Sequence, residues 1–99
     1  MANAVWFIAY KLKQGSCEKE FLAASKKCND EVLSKQKGFI SWKVLKDGDT
    51  WVDLVTWETP EDAKNGETAG AQNPAAAQFY SFINFNSLKH QLYTVEEDY

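Results

Sequence analysis

The sequence predicts an α+β protein in which a four-stranded antiparallel sheet carries helices on one face. Three observations lead to this prediction. A β-rich hairpin occupies the middle of the chain, from Gly38 to Trp57. A strand pattern and then a helix pattern precede the hairpin, and a helix pattern and then a strand pattern follow it. The resulting order is strand–helix–strand, strand–helix–strand.

The hairpin gives the clearest local signal. Its two runs, Phe39 to Lys46 and Thr50 to Glu58, are rich in β-branched and aromatic residues, and Asp47-Gly48 separates them. Glycine adopts a positive φ without steric cost, so Asp-Gly between two such runs favours a tight turn. The sequence therefore predicts an antiparallel pair of strands here.

The first strand, predicted from Ala4 to Lys13, is apolar on both faces, whereas a sheet that is wet on one side alternates with polar residues. We expect Val52 and Leu54 to face the helices. We expect the opposite, open face to carry several large rings, including some of Trp6, Tyr10, Trp51 and Trp57. Burying several such rings contributes several kcal/mol at roughly 25 cal/mol per Å². A symmetric dimer whose two sheets face each other is therefore predicted.

Two helical segments connect the strands. The first is predicted from Cys17 to about Lys37, capped by Ser16, with an apolar stripe of Phe21, Ala24, Cys28 and Val32. The second begins with Thr59 as N-cap before Pro60, restarts at Asn73-Pro74 and continues from Ala75 to Asn84. The last strand is predicted from Ser87 to Val95. This βαββαβ order is the ferredoxin-like pattern.

Size and charge limit the function classes. Ninety-nine residues predict a single domain, residues 1–99. The net charge of −3 without a basic patch argues against nucleic-acid binding. The chain has neither a secretory signal pattern nor an apolar run long enough for a membrane helix. Cys17 and Cys28 lie about 16 Å apart on one predicted helix, too far for a disulfide, and two reduced thiols predict a cytoplasmic protein.

Several short motifs follow one another in a familiar order. They are Lys-Leu-Lys-Gln-Gly at the end of the first strand (11–15), Glu20-Phe21-Leu22, Lys37-Gly38-Phe39, Asp47-Gly48, and Trp57-Glu58-Thr59-Pro60-Glu61-Asp62-Ala63. With these motifs the chain resembles, over nearly its whole length, the antibiotic-biosynthesis-monooxygenase-like proteins of the dimeric α+β barrel superfamily. The resemblance implies a homodimer with a barrel-like core and a cavity in each subunit.

The same resemblance bears on activity. The superfamily includes cofactor-independent monooxygenases that act on polycyclic aromatics, haem-degrading enzymes and proteins of unassigned function. Its haem-degrading members use an Asn on the first strand and a Trp and a His in the second helical region. Here the region from Pro60 to Asn84 contains no His, and Asn3 precedes the strand. These departures argue against haem degradation, and fold alone does not fix the activity.

Two residues are candidates for proton transfer. His90, the only histidine, is the side chain whose pKa ordinarily lies nearest neutrality. The alternative is a His bonded to a backbone carbonyl or placed at the dimer seam. Asp53 lies mid-strand among aromatic residues, where an unpaired carboxylate is costly. It is therefore paired with Lys43 across the hairpin, hydrated in a cavity, or shifted in pKa.

The remaining candidates are ligand-binding. Tyr10 and Ser41 supply hydroxyl groups, and Trp6, Trp51 and Trp57 offer rings that stack on a flat ligand or that serve only for packing. One His and two separated cysteines form no metal-ligand set, and no phosphate-binding loop is present, so neither a metal nor a cofactor is predicted.

The sequence thus predicts a homodimer that binds a small apolar or aromatic molecule and, as an enzyme, acts as a cofactor-independent monooxygenase. Two alternatives stay open. One is a non-catalytic binding or structural dimer, and the other is a haem-binding protein.

Overall fold

The computed structural model describes residues 3–70 and 73–99. Its elements in chain order are β1 (Ala4–Leu12), α1 (Glu18–Glu31), β2 (Phe39–Asp47), β3 (Thr50–Trp57), α2 (Pro60–Ala69), α3 (Pro74–Tyr80) and β4 (Ile83–Thr94). The strands form one antiparallel sheet in the order β2-β3-β1-β4. The helices pack on one face of it, so the predicted ferredoxin-like α+β fold is confirmed.

The first helix ends earlier than the sequence predicted. A short 3₁₀ turn, Leu33–Lys35, follows α1 in place of further α-helix. The Ser34 hydroxyl donates to the Asp30 carbonyl at 3.1 Å, and the Gln36 amide donates to the Val32 carbonyl at 2.9 Å. These side chains satisfy carbonyls at the helix end. At the other end Cys17, not Ser16, is the N-cap residue, and no side chain caps the helix there.

The predicted turns and the second helix start are confirmed. Gly48 takes a φ of +63° in the hairpin turn, where Asp47 pairs with Thr50. The Thr59 side chain accepts a hydrogen bond from the Asp62 backbone N–H at 3.0 Å, directly before Pro60 begins α2. The N-cap and the proline together fix where this helix starts.

The sheet packs on the helices with the face opposite to the one that the sequence predicted. The face that packs on the helices carries the buried side chains of Trp6, Tyr10, Trp51, Asp53, Val55 and Trp57. Val52 and Leu54 lie on the open face, paired with Ala9 and Phe7 of β1. The expectation that the large rings lie on the open face is therefore wrong. Because both faces are apolar, their alternation marks two sets of residues without showing which set meets the helices.

The core divides into two clusters under the helices. In the first, the Phe21 ring of α1 lies 5.0 Å from the Trp51 ring and 5.4 Å from the Phe79 ring of α3. In the second, beneath α2, the rings of Trp6 and Trp57 are 4.9 Å apart. Residues of both clusters, Phe79 of the first and Trp6 of the second, line the cavity described below.

Strand β4 begins at Ile83, although the sequence predicted a helix as far as Asn84 and a strand only from Ser87. Leu12 pairs with Ile83, and the register with β1 then shifts between Ala9 and Lys11. At this irregularity the Ser87 hydroxyl oxygen accepts the Lys11 backbone N–H at 2.8 Å. A bulge of this kind re-aims the side chains of the bulged strand. In the described residues, no helix has the length and apolar character needed to cross a membrane.

Candidate functional site

A cavity of about 260 Å³ lies between the sheet and helices α2 and α3. Side chains from the sheet and from both helices line it: Trp6, Ile8, Asp53, Glu67, Phe79, Tyr80, Ile83, Phe85, Leu88 and His90. A smaller cavity of about 40 Å³ shares Trp6, Asp53 and Phe79 with it and extends toward Cys28 and Trp42. The walls are apolar apart from a few polar groups, as in small-molecule sites.

The carboxylate of Asp53 is the buried polar group of this cavity. The residue is only 4% exposed, and the Tyr10 hydroxyl donates to its Oδ1 atom at 2.7 Å. The predicted alternative of a Lys43–Asp53 ion pair is wrong. Lys43 pairs with Leu54, and Asp53 lies opposite Val44, so the two side chains are on different faces of the sheet. The carboxylate is therefore held by a phenol and has no cationic partner among the residues that the structure describes.

Burial decides the protonation of Asp53. Loss of solvation raises the pKa of this carboxyl to about 7, although the hydrogen bonds from the Tyr10 hydroxyl and the Trp42 indole lower it. Burial also raises the pKa of Tyr10, with smaller contributions from the charge of Asp53 and the hydrogen bond to it, so the phenol stays protonated and donates. A carboxyl group with a pKa near neutrality can both take up and release a proton under physiological conditions.

Buried indole N–H groups lie in the same walls. The Nε1 atom of Trp6 is buried and has no hydrogen-bond partner within the described residues, whereas the Trp42 indole interacts with Asp53. Trp6 lines both cavities, and Trp42 lines the smaller one. Buried donors are nearly always paired with protein groups, water or ligand atoms. The Trp6 indole is therefore the donor left for a bound molecule with an oxygen acceptor.

His90 lies at the mouth of the cavity. Its Nε2 atom is 3.8 Å from Oε1 of Glu67 on α2, and the two side chains are 36% and 44% exposed. The His90 ring meets the Trp6 ring edge-on, with the ring centres 6.1 Å apart. His90 and Asp53 thus lie at the exposed and buried ends of one cavity.

Two further ionisable groups lie beside Asp53. Burial, followed by the charge of Asp53, raises the pKa of the Cys28 thiol to about 11, and Cys28 is 5% exposed. Loss of solvation also raises the pKa of Tyr80, with smaller contributions from the charges that Cys28 and Asp53 carry when they are ionised. Both groups are therefore neutral near pH 7, and Asp53 is the group in the interior of the cavity that changes charge there.

The structure brings together only some of the predicted site residues. Trp6, Asp53 and His90 line the cavity, and Tyr10 lies directly behind Asp53. Trp51 and Trp57 are buried in the two core clusters, outside both cavities. Ser41 lies on the opposite face of the sheet, paired with Thr56.

Sequence reasoning missed Glu67, Tyr80 and Phe85, which line the mouth. The alternation of Ile83 and Phe85 with Asn84 and Asn86 is a strand signal that could have placed Phe85 on β4. Among the residues that the structure describes, no group of three or more His, Cys, Asp or Glu side chains is arranged to hold a metal ion.

Comparison with known proteins identifies the fold. The chain is similar to SnoaB, a cofactor-independent oxygenase from Streptomyces nogalater, with 15% identity, a TM-score of 0.76, and coverage of 99% of this chain and 97% of that one. A candidate antibiotic biosynthesis monooxygenase from Chloroflexus aurantiacus is 17% identical, with a TM-score of 0.72 and coverage of 98% and 96%. Another from Bacillus cereus is 21% identical, with a TM-score of 0.65 and coverage of 98% and 94%.

No protein-family model matches the sequence, and no curated protein matches it significantly. At such low identities the structural similarity shows a shared fold, namely that of the antibiotic biosynthesis monooxygenase proteins. The resemblance inferred from the sequence is confirmed at this level.

Proposed function

We propose that the protein binds a small aromatic molecule in the 260 Å³ cavity and oxygenates it without a cofactor, with Asp53 as the proton acceptor. The observation that carries this proposal is a buried carboxyl group, with a pKa of about 7, in the wall of an apolar cavity. An engineered apolar cavity of about 150 Å³ holds benzene. The present cavity therefore has room for a molecule of two rings, with a third ring at the mouth.

The chemistry needs an acidic C–H group on the substrate. Asp53 takes a proton from a CH₂ group activated by a neighbouring carbonyl, and the resulting carbanion is electron-rich enough to reduce O₂. One oxygen atom becomes the new carbonyl oxygen of the substrate. The other leaves as water with the two hydrogens of the CH₂ group, so no external reductant is required. Trp6 and Phe79 pack against the ring, and His90 at the mouth exchanges protons with solvent.

Anthrone supplies the required CH₂ group and tests this proposal. We expect the protein to consume O₂ and to form anthraquinone in equal amounts, faster than the uncatalysed oxidation in the same buffer. Oxygen uptake and the absorbance of the quinone measure the two sides of the balance separately. An unchanged rate at saturating protein would contradict an oxygenase. Saturable binding of anthrone at an unchanged rate would instead support the second candidate, a non-catalytic binding protein that uses the unpartnered indole donor of Trp6.

A second copy of the chain is the proposed partner of the open sheet face. This face carries Val5, Phe7, Ala9, Val52, Leu54 and Tyr93, of which Phe7 is 39% and Tyr93 54% exposed. Apolar side chains at the centre of one face, continuous across three strands, mark an interaction surface. The shared fold with proteins of the dimeric α+β barrel type supports a symmetric dimer through it. The unpaired thiols Cys17 and Cys28 support the cytoplasm as its location.

Leu54→Glu is expected to convert the dimer to a monomer. The new carboxylate lies opposite Lys43 on the open face, so it is tolerated in the isolated subunit, but a dimer would bury it away from water. Sedimentation equilibrium of the unmodified protein should give twice the chain mass of 11.2 kDa, and the variant should give a single chain mass. Leu22→Glu makes the same change at a 43% exposed position on α1 and should remain dimeric. A monomeric unmodified protein would refute the assembly.

A further inference from the structure

The polar groups of the cavity are arranged for more than general apolar binding. Its lining presents an acceptor, the Asp53 carboxylate, together with the buried and unpartnered N–H group of Trp6. The Tyr10 hydroxyl and the Trp42 indole use two of the roughly four acceptor sites of the Asp53 carboxylate, so sites remain for a donor on a ligand. The buried end of the cavity therefore requires a ligand group that both donates and accepts a hydrogen bond.

The charges around the cavity point the same way. Asp53 and Glu67 are acidic, and His90 is the one basic side chain in the lining. No lysine or arginine of residues 3–70 and 73–99 lines the cavity. An anionic group on a ligand thus meets a carboxylate at the buried end without a compensating cation, and like charges held in an apolar surrounding repel strongly.

We infer that the cavity selects a neutral aromatic ligand that carries a ring hydroxyl at its buried end, and that it rejects aromatic carboxylates. The hydroxyl hydrogen bonds to Asp53, and its oxygen accepts the indole N–H of Trp6. Phe79 and Tyr80 flank the ring, and Phe85 covers the mouth. This inference rests on the proposed function, because it takes the same cavity as the ligand site, but it concerns selection and holds whether or not turnover follows.

Three naphthalene derivatives of the same ring size test separately whether the ligand needs a hydrogen-bond donor and whether it must be neutral. 2-Naphthol carries the hydroxyl, 2-methoxynaphthalene keeps the oxygen acceptor but lacks the donor, and 2-naphthoate carries a charge. At pH 8 the Asp53 carboxyl, with its pKa of about 7, is mostly ionised, and naphthol, with a phenolic pKa of about 10, is neutral. By isothermal titration calorimetry we expect 2-naphthol to bind roughly tenfold or more tightly than either of the other two.

Asp53→Asn assigns the selection to this residue. In this variant 2-naphthol should bind only roughly threefold more tightly, or less, than 2-naphthoate or 2-methoxynaphthalene. The amide neither repels naphthoate nor makes a charge-assisted hydrogen bond to naphthol. Asp62→Asn is the matched control. Asp62 is 5% exposed, compared with 4% for Asp53, and lies outside both cavities, so this variant should keep the preferences. Near-UV circular dichroism confirms that each variant is folded.

Trp6→Phe provides a second test that does not touch the carboxylate. It removes the indole N–H and keeps an aromatic ring, so the affinities for 2-naphthol and 2-methoxynaphthalene should fall by similar factors. Naphthoate binding as tight as naphthol, an unchanged preference in Asp53→Asn, or no binding of 2-naphthol by the unmodified protein would each overturn the inference. Selective binding of 2-naphthol by a protein that does not accelerate anthrone oxidation would refute the oxygenase alone, and anthrone turnover with equal affinities for naphthol and naphthoate would refute the selection alone.

Discussion

The Asp53→Asn substitution is expected to abolish oxygenation and, at the same time, to stabilise the fold above neutral pH. The introduced amide cannot accept the substrate proton, and loss of a general base typically lowers the rate by about 10²- to 10⁴-fold. The amide oxygen can still accept the Tyr10 hydroxyl, which donates to Oδ1 of Asp53 in the structure. The amide nevertheless avoids the cost of burying a charge at a position only 4% exposed.

The stability gain follows from the raised pKa. Asp53 titrates at about 7 in the folded protein, against an ordinary value of 3.8. Stability from the neutral carboxyl is full below the unfolded pKa and is lost as the pH rises toward the folded pKa. A shift of about three pH units corresponds to about 4 kcal/mol as an upper value. At pH 8 we therefore expect Asp53→Asn to be about 2–4 kcal/mol more stable than the unmodified protein.

Urea unfolding at pH values from 4 to 9 measures this difference. The unmodified protein should lose stability between about pH 4 and pH 7, and the Asp53→Asn curve should lack that component. Asp62→Asn removes an equally buried carboxyl outside the cavity and should retain the slope. An Asp53→Asn variant with the same pH slope as the unmodified protein would show that Asp53 does not carry the raised pKa.

Tyr10→Phe is expected to raise the pKa of the Asp53 carboxyl and to lower stability at pH 8, whereas Asp53→Asn is expected to raise stability there. The Tyr10 hydrogen bond lowers the pKa of Asp53, so its removal raises that pKa further. The acid limb of the pH–rate profile should then move to higher pH, and stability at pH 8 should fall by about 1–3 kcal/mol because a buried carboxylate loses its donor. A profile that does not move would assign Tyr10 to packing alone.

The sequence predicted the order of elements because turn and cap signals are local. Gly48 in the hairpin and Thr59 before Pro60 act within a few residues, and both behave as predicted. The end of α1 depends instead on side chains of Ser34 and Gln36 that compete for backbone carbonyls. Such competition is a balance of small energies that the apolar periodicity does not report.

The candidate site was predicted only in part, for two physical reasons. First, β1 and β3 are apolar on both faces, so the sequence separated Trp6 and Asp53 from Val52 and Leu54 correctly but assigned the helices to the wrong set. Second, the mouth depends on a bulge in β4, which is set by tertiary pairing with β1 and has no strong local signal. Sequence patterns give the faces of each element, and packing decides which faces meet.

A methyl group added at Gly66 is expected to destabilise the protein by about 2–3 kcal/mol, although alanine favours a helix over glycine by about 1 kcal/mol. A Cβ atom built at Gly66 would lie 2.6 Å from Cζ2 of Trp57. Trp57 is fully buried, at 0% exposure, and its ring lies 4.9 Å from the Trp6 ring and 5.8 Å from the Phe39 ring. These neighbours confine the indole, so we expect α2 to shift away from the sheet.

Chemical unfolding of Gly66→Ala, Trp57→Phe and the double variant measures the contact as a coupling energy. Phenylalanine lacks the part of the indole that the methyl group meets, so the double variant should be more stable than the sum of the single changes predicts, by about 1 kcal/mol or more. Asn65→Ala, an exposed change on the same helix, should be neutral or slightly stabilising. Additive effects in the cycle would show that Gly66 and Trp57 do not meet. Since Glu67 follows Gly66 and lines the mouth, a displaced α2 should also weaken ligand binding in Gly66→Ala, and Trp57→Phe should restore it.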